Sequence, residues 1–196
     1  MEYNGVILSG TPGAGKSALA QRLIETYNWE KLSLGDYWKD TYRKAYPQCD
    51  VDFATFWRST SREENLRINR EARTILERGG IVCDSCYTAA YCQDLPLLLV
   101  YVDARVETRA WRLTGKPLYA RMNVTRIAAT LTECENDEVT RGKEFFGEAY
   151  DYREKELYEL VLDSGKLTIE QELQIIRTYM LFEQTRARQR ENVPLV

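Results

Sequence analysis

Residues Gly10-Thr11-Pro12-Gly13-Ala14-Gly15-Lys16-Ser17 stand between an apolar run, Val6-Ile7-Leu8, and a helical pattern that begins at Ala18. In that setting a turn of the form G-x-x-x-x-G-K-[ST] wraps backbone N–H groups around a phosphate at the positive end of a helix dipole. Its glycines let the backbone curl without a Cβ clash. The spacing therefore dictates strand, tight turn and helix at the start of the chain. Lys16 is placed to reach the terminal phosphates of a nucleoside triphosphate, and the Ser17 hydroxyl to sit on Mg²⁺. An ordinary glycine-rich turn is the competing reading. The pattern arises by chance in roughly one chain in a hundred of this size, and the flanks lower that figure, so the phosphate reading prevails. Gly10, Thr11, Pro12, Gly13, Ala14, Gly15, Lys16, Ser17 and Ala18 are the candidate donor-binding residues.

Composition narrows the class further. At 196 residues, 44% hydrophobic and 29% charged, the chain suits one α/β domain over 1–196 that carries insertions. A net charge of −3 gives no field to gather nucleic acid or an anionic membrane. No apolar run nears the ~20 residues of a membrane span. Met1-Glu2-Tyr3-Asn4 enters the first strand directly, so no signal peptide is expected. Five cysteines, an odd number, point to a reducing cytoplasm rather than to disulfides. Cys83-x-x-Cys86, with Cys92 nearby, admits a metal or redox reading, but no second CxxC completes a set of four ligands. Buried thiols serving as small hydrophobes are favoured instead. Histidine is absent, which removes Ser-His-Asp, Cys-His and histidine–metal chemistry together. Phosphoryl transfer survives that loss, because it rests on positioning and positive charge.

Taken in order, Leu19, Ala20, Leu23, Ile24 and Tyr27 form a stripe at helical spacing. Trp29 to Ser33 reads as a short strand, and Tyr37 to about Ala45 as a helix stopped by Pro47. Tyr37, Trp38, Tyr42, Tyr46, Phe53, Phe56 and Trp57 crowd this region, either as a satellite core or in part as the lining of a base pocket. Ser61-x-x-Glu64 is a capping box for a helix that ends at Gly79-Gly80. Ile81-Val82-Cys83-Asp84 is a buried strand with an acid at its carboxyl end, where open parallel sheets bind ligands. Asp84 is thus a candidate to hold water around Mg²⁺, or else a plain strand-end cap. Leu97 to Val102, closed by Asp103, is the next strand, and Arg105 to about Leu113 the next helix, carrying Arg109 and Arg112. From Thr114 to about Gly147 the pattern turns polar and suggests two helical arms around a turn. Leu160 to Asp163 is the last strand. Thr168-x-x-Gln171 caps a final helix whose inner face carries Ile169, Leu173, Ile176 and Met180, and Arg186 to Arg190 reads as a solvated helix end. The sum is a three-layer α/β/α sandwich, a P-loop NTPase fold with a five-stranded parallel sheet. Insertions fall at about 36–78 and about 114–147.

With those residues in place, the sequence resembles the nucleoside monophosphate kinases, and most of all the short archaeal type of cytidylate kinase. The resemblance rests on Gly10 to Ser17, Leu32-Ser33-Leu34-Gly35-Asp36, Gly80 to Asp84, Arg109-Ala-Trp-Arg112, Asn136-Asp137-Glu138-x-x-Arg141-x-Lys143-x-x-x-Gly147 and Tyr158 to Thr168. It runs from about residue 5 to 180. It implies ATP and Mg²⁺ as donor and cofactor, a nucleoside monophosphate as acceptor, and an acceptor-binding insertion and a lid at the two insertions found above. It further implies that Lys16 and the loop hold the donor phosphates, and that Ser17, Asp36 and Asp84 serve the Mg²⁺, the two acids through water. Arg109 or Arg112 would lie along the donor nucleotide, and Arg141 would close from the lid onto the moving phosphoryl group. Ser33, Asp36, Lys39, Asn69 and Arg70 would face the acceptor.

Several acceptor-side positions depart from the family pattern. Lys39, Cys86 and Cys134 stand where the family usually has arginine, and Asn69 replaces the acid of an acid–arginine pair that reads cytosine. Neither exchange is conservative. Lys39, Arg58, Arg62, Arg70 and Arg73 are the cations that could rebuild an anion pocket. The leading expectation is an ATP-dependent kinase of a nucleoside monophosphate, CMP or dCMP first. The alternatives are a kinase for a hydroxyl-bearing metabolite or modified nucleoside, and a nucleotide-binding regulatory protein with little catalysis. The expected partners are small-molecule nucleotides, with no nucleic acid and no membrane, for a cytoplasmic monomer or dimer.

Overall fold

The structure, a computed structural model, describes residues 2–48 and 53–191. Within the expected acceptor insertion, residues 49–52 lie outside the described residues, and Cys49 with them. Five strands form one parallel sheet: β1 (Gly5–Gly10), β2 (Glu30–Ser33), β3 (Ile81–Asp84), β4 (Leu98–Asp103) and β5 (Leu160–Asp163). Their order is β2-β3-β1-β4-β5, so β1 is central and delivers its loop between β3 and β4. The helices are α1 (Lys16–Tyr27), α2 (Leu34–Ala45), α3 (Phe53–Ser59), α4 (Arg62–Leu76), α5 (Val106–Leu113), α6 (Val124–Phe146) and α7 (Ile169–Glu191).

The alternation along β1 explains the three layers. Ile7 points to one face with Trp38, Ile68, Leu76, Cys83 and Phe145; Val6 and Leu8 point to the other with Leu19, Leu23, Leu173 and Ile176. All three β1 residues are fully buried, and each such side chain contributes about 1.5–3 kcal/mol. Much of the aromatic group after Tyr37 belongs to the first of these cores: Trp38 and Phe56 are buried and stand edge to face with ring centroids 6.2 Å apart. Cys83 and Cys92 are buried free thiols, as read from the sequence.

Both capping boxes are present. Ser61 Oγ accepts from the Glu64 N–H at 3.1 Å. Thr168 and Gln171 exchange bonds of 2.8 and 3.3 Å at the entry to α7. Three expectations need correction. The α2 helix begins at Leu34, not Tyr37, because the Ser33 hydroxyl caps it by accepting from the Asp36 N–H at 3.2 Å. In place of two arms around a turn, a short 3-10 turn at Pro117–Tyr119 precedes one continuous 23-residue α6. Asn123 caps that helix through the Arg126 N–H at 2.8 Å, and Ile127, Leu131, Gly142 and Phe145 give it a buried face along its length. Ile169 is exposed on α7 rather than inward, while Leu173 and Ile176 are buried. Among the described residues no helix is long and apolar enough to cross a membrane.

Candidate active site

The loop after β1 has the shape its sequence demands. Gly10, at φ 135°, lies so close to the Val102 carbonyl that any Cβ would collide with it, and such a backbone conformation belongs to glycine. Gly13 and Gly15 also have positive φ, 80° and 107°. The Lys16 ammonium folds back over the loop and donates to the carbonyls of Gly10 at 2.7 Å and Thr11 at 3.0 Å. It thus caps the cradle that it would open to a phosphate.

Two acids flank the loop from the carboxyl ends of neighbouring strands. Ser17 Oγ donates to Asp84 Oδ2 at 2.8 Å, and Thr11 Oγ1 donates to Asp103 Oδ1 at 2.8 Å. Asp103 was not read as a site residue; its position closing β4 beside β1 was the available signal. Ser17 and Asp84 offer one hydroxyl and one carboxylate to a hydrated cation. Among the described residues no group of three or more acids or cysteines is gathered for a metal. That sparse donor set fits Mg²⁺, which takes the rest of its shell from water and phosphate. Asp36 lies one turn beyond Ser33, whose strand partner is Asp84. Its carboxylate is engaged by Lys31 at 2.7 Å and Lys39 at 3.5 Å, and the Lys31 hydrogen bond holds it below the usual carboxylate range.

Arg109 and Arg112 brace the loop. Arg109 is 4% exposed at its side chain and donates to the carbonyls of Ala104 at 2.8 Å and Pro12 at 2.9 Å; it also pairs with Glu135 of α6 at 2.5 Å. Arg112 reaches the Ala14 carbonyl at 3.3 Å and both the hydroxyl and the carbonyl of Ser164, at 3.0 and 2.5 Å. Here these two side chains shape the cradle from behind instead of lying open along a nucleotide. Glu172, nearby on α7, is buried with no partner for Oε1, and burial pushes its carboxyl up to about 7.

On the acceptor side, the five cations singled out do not converge. Four of them engage different neighbours, among them Lys39 on Asp36, Arg58 on Asp137 at 2.5 Å, and Arg73 in a two-pronged pair with Asp94 at 2.6 and 2.9 Å. Arg62 donates to the carbonyls of Glu144 and Phe145 at 2.9 and 3.1 Å, and Arg70 is exposed. Unpaired carboxylates and helix-end carbonyls lay closer than any common focus. Arg141 donates to the carbonyl and the hydroxyl of Thr60, sits 4.8 Å over the Phe145 ring and pairs with Glu144 at 2.7 Å. Arg58, Arg62 and Arg141 together strap α3 and α4 to α6.

Asn69 is buried and committed within the protein: it donates to the Asn65 carbonyl at 2.8 Å and accepts from Thr88 at 3.2 Å. The sequence reading missed Thr60, Asn65, Tyr150 and Glu138. Asn65 Oδ1, Arg141 Nε and the Tyr150 hydroxyl are buried without hydrogen-bond partners, an arrangement that costs about 1–3 kcal/mol for each group. Glu138, from α6, accepts from the Tyr152 hydroxyl at 2.8 Å, and burial pushes its carboxyl up against the pull of Lys16. Cys86 lies against it and 3.9 Å from the Gly10 carbonyl, and burial raises its thiol well above the ordinary range.

No family model matches the chain. A cytidylate kinase of Aeropyrum pernix is 28% identical over 175 residues, covering 87% of this chain and 95% of that protein. A cytidylate kinase of Methanopyrus kandleri is 25% identical over 185 residues, covering 88% and 90%. A solved shikimate kinase of Bacteroides thetaiotaomicron, 13% identical, superposes with a TM-score of 0.57 over 90% of this chain and 97% of that one, a likeness of fold. Sheet order, phosphate cradle and a match running through most of both chains lead to one conclusion: this chain has a P-loop kinase-like fold and is similar over most of its length to archaeal cytidylate kinases.

Proposed function

We propose that the protein transfers the γ-phosphoryl group of ATP to a nucleoside monophosphate, CMP or dCMP first. The observation that carries this reading is the cradle of Lys16 and Ser17 against Asp84, in a chain matched almost end to end by cytidylate kinases. Bound Mg²⁺ would neutralise charge on the donor phosphates, with Ser17 and, through water, Asp84 and Asp36 as its protein neighbours. Lys16 leaves the Gly10 and Thr11 carbonyls for the phosphates. An acceptor phosphate oxygen bonds to the γ-phosphorus as the bond to the β–γ bridging oxygen breaks, and ADP leaves. Arg109 and Arg112 hold the loop still, while α6 covers the cleft and excludes water that would otherwise take the phosphoryl group.

A coupled ADP-release assay over CMP, dCMP, UMP, AMP and dTMP tests the reading. Turnover above the ATPase background with at least one of them supports it; background rates with all of them sink it.

One observation favours a second reading. Cys86 and Glu138 put a thiol and a carboxyl where the family resemblance implies an arginine. A carboxyl there repels an acceptor phosphate but suits a hydroxyl acceptor, whose proton it would take as the new O–P bond forms.

A further inference from the structure

A cleft of about 450 Å³ opens at the amino ends of the strands, on the side of the sheet covered by α1 and α7. One wall is a stripe of α7, where Gln174, Arg177, Thr178, Leu181 and Gln184 recur at helical spacing. Tyr27, which ends α1, and Trp29, which precedes β2, form a second wall. Their rings are stacked, with centroids 4.4 Å apart and planes 17° apart. Glu2 and Tyr3, just before β1, close the third side. The phosphate cradle follows the opposite end of β1, and the length of that strand, Gly5–Gly10, sets the two places roughly 17 Å apart. The cleft therefore belongs to neither donor nor acceptor.

Its charges are only partly matched within the protein. The acids nearest along the chain are committed elsewhere: Glu170 to Arg22 at 2.8 Å, Glu183 to Arg186 at 2.7 Å, and Glu172 is buried in the interior. Among the described residues Arg177 is left with no hydrogen-bond or ion-pair partner. Its guanidinium is exposed and close enough to Tyr27 to act on that hydroxyl. Glu2 accepts from the Gln184 amide. Seven residues of α7 separate Gln184 from Arg177, so carboxylate and guanidinium stand about 10 Å apart.

That arrangement selects a ligand by its shape and charge. A flat ring stacks on the Tyr27–Trp29 pair. The open fork of Arg177 suits an anion with several oxygens, such as a phosphate. At the far end, the Glu2 carboxylate calls for an N–H donor. An aromatic amino acid carries its two charges too close together to reach both ends. A mononucleotide has a phosphate at one end, an amine on the base at the other and the sugar between. The volume of the cleft lies within the range of small-molecule sites.

We propose that this cleft is a second nucleotide site, taking a mononucleotide whose base carries an exocyclic amine. The phosphate rests on Arg177, the base on the Tyr27–Trp29 shelf, and the amine faces Glu2. One helix touches both sites, since α1 carries Lys16 and Ser17 in its first turn and Tyr27 as its last residue. The assignment holds whichever acceptor the phosphate cradle serves.

Calorimetric titration with AMP, and with adenosine as the probe that lacks the anion, tests it on the wild type, Lys16→Ala, Arg177→Ala and Leu181→Trp. Arg177 and Leu181 are exposed, so both α7 variants should melt with the wild type. The wild type should bind AMP about tenfold more tightly than adenosine. Lys16→Ala, which disables the cradle, should bind AMP as the wild type does. Arg177→Ala should weaken AMP about tenfold and remove its advantage over adenosine. Leu181→Trp fills the cleft and should bind neither. No AMP uptake by the wild type at millimolar concentration overturns the assignment. So does an advantage of AMP that survives Arg177→Ala, or binding that is lost in Lys16→Ala and kept in Leu181→Trp. Self-association abolished by Leu181→Trp, with no uptake of AMP, overturns it too and gives the cleft to a second copy of the chain.

Discussion

The Ser17 hydroxyl donates to Asp84 Oδ2 at 2.8 Å, joining the first turn of α1 to the carboxyl end of β3. The bond holds a hydroxyl and a carboxylate side by side, at the place where the proposed function puts Mg²⁺. Asp84→Asn keeps the size of the side chain and removes its charge. We expect kcat to fall about 100-fold and the Mg²⁺ concentration for half-maximal rate to rise, with melting temperature nearly unchanged. Lys16→Ala should bring transfer to background under either acceptor reading. A magnesium titration of each variant checks both statements, and full activity in Lys16→Ala would refute the donor site.

Arg109 and Glu135 form an ion pair exposed by only 4% and 14%. Removing one partner strands the other charge in the interior, so Arg109→Ala should cost about 3 kcal/mol of stability in urea unfolding. Replacing both residues should recover part of that loss. Arg22→Ala, which breaks an exposed pair with Glu25 on α1, should scarcely move the midpoint.

Glu172 supplies a pH dependence. Burial raises its carboxyl from 4.5 in the unfolded chain to about 7 in the folded protein. Between those values the folded state holds a proton that the unfolded state has released, so stability falls as pH rises through this window and levels off above about 7. Glu172→Gln removes the effect. Urea midpoints of variant and wild type should agree near pH 4.5 and diverge by roughly 2–3 kcal/mol above pH 7, with the variant the more stable. Parallel curves across the range would show that this carboxyl carries no linkage.

Glu138 separates the two acceptor readings. With a phosphate acceptor, Glu138→Gln removes a like charge from the cleft, and kcat/KM for CMP should hold or rise by about twofold. With a hydroxyl acceptor the same change should lower kcat about 100-fold and erase the acidic limb of the pH–rate profile. Initial rates from pH 5.5 to 8.5 distinguish the outcomes.

What could be read from the sequence was local. Gly10 to Ser17 and the boxes at Ser61 and Thr168 depend on residues a few positions apart, so their spacing already contains their geometry. The single α6 helix was harder, because polar residues such as Thr130, Glu133 and Lys143 hide the buried line from Ile127 to Phe145. The acceptor side was least legible. Its arrangement depends on meetings such as Arg58 with Asp137, 79 positions apart, and Arg141 with Thr60, 81 apart. No periodicity reports which of several acids an arginine will find. The cations were visible one by one; their dispersal to separate partners was not.

The straps from Arg58, Arg62 and Arg141 carry a consequence for rate. With α3 and α4 tied to α6, an acceptor bound between them, as the proposed function implies, would enter or leave only as several charged hydrogen bonds release together. Under the proposed kinase reading, unlatching would act as a gate for acceptor and product, and a slow release would cap turnover however fast the chemistry is. The Arg58–Asp137 link is half-exposed, so moderate salt should loosen the gate and quicken product escape while leaving the phosphate cradle untouched.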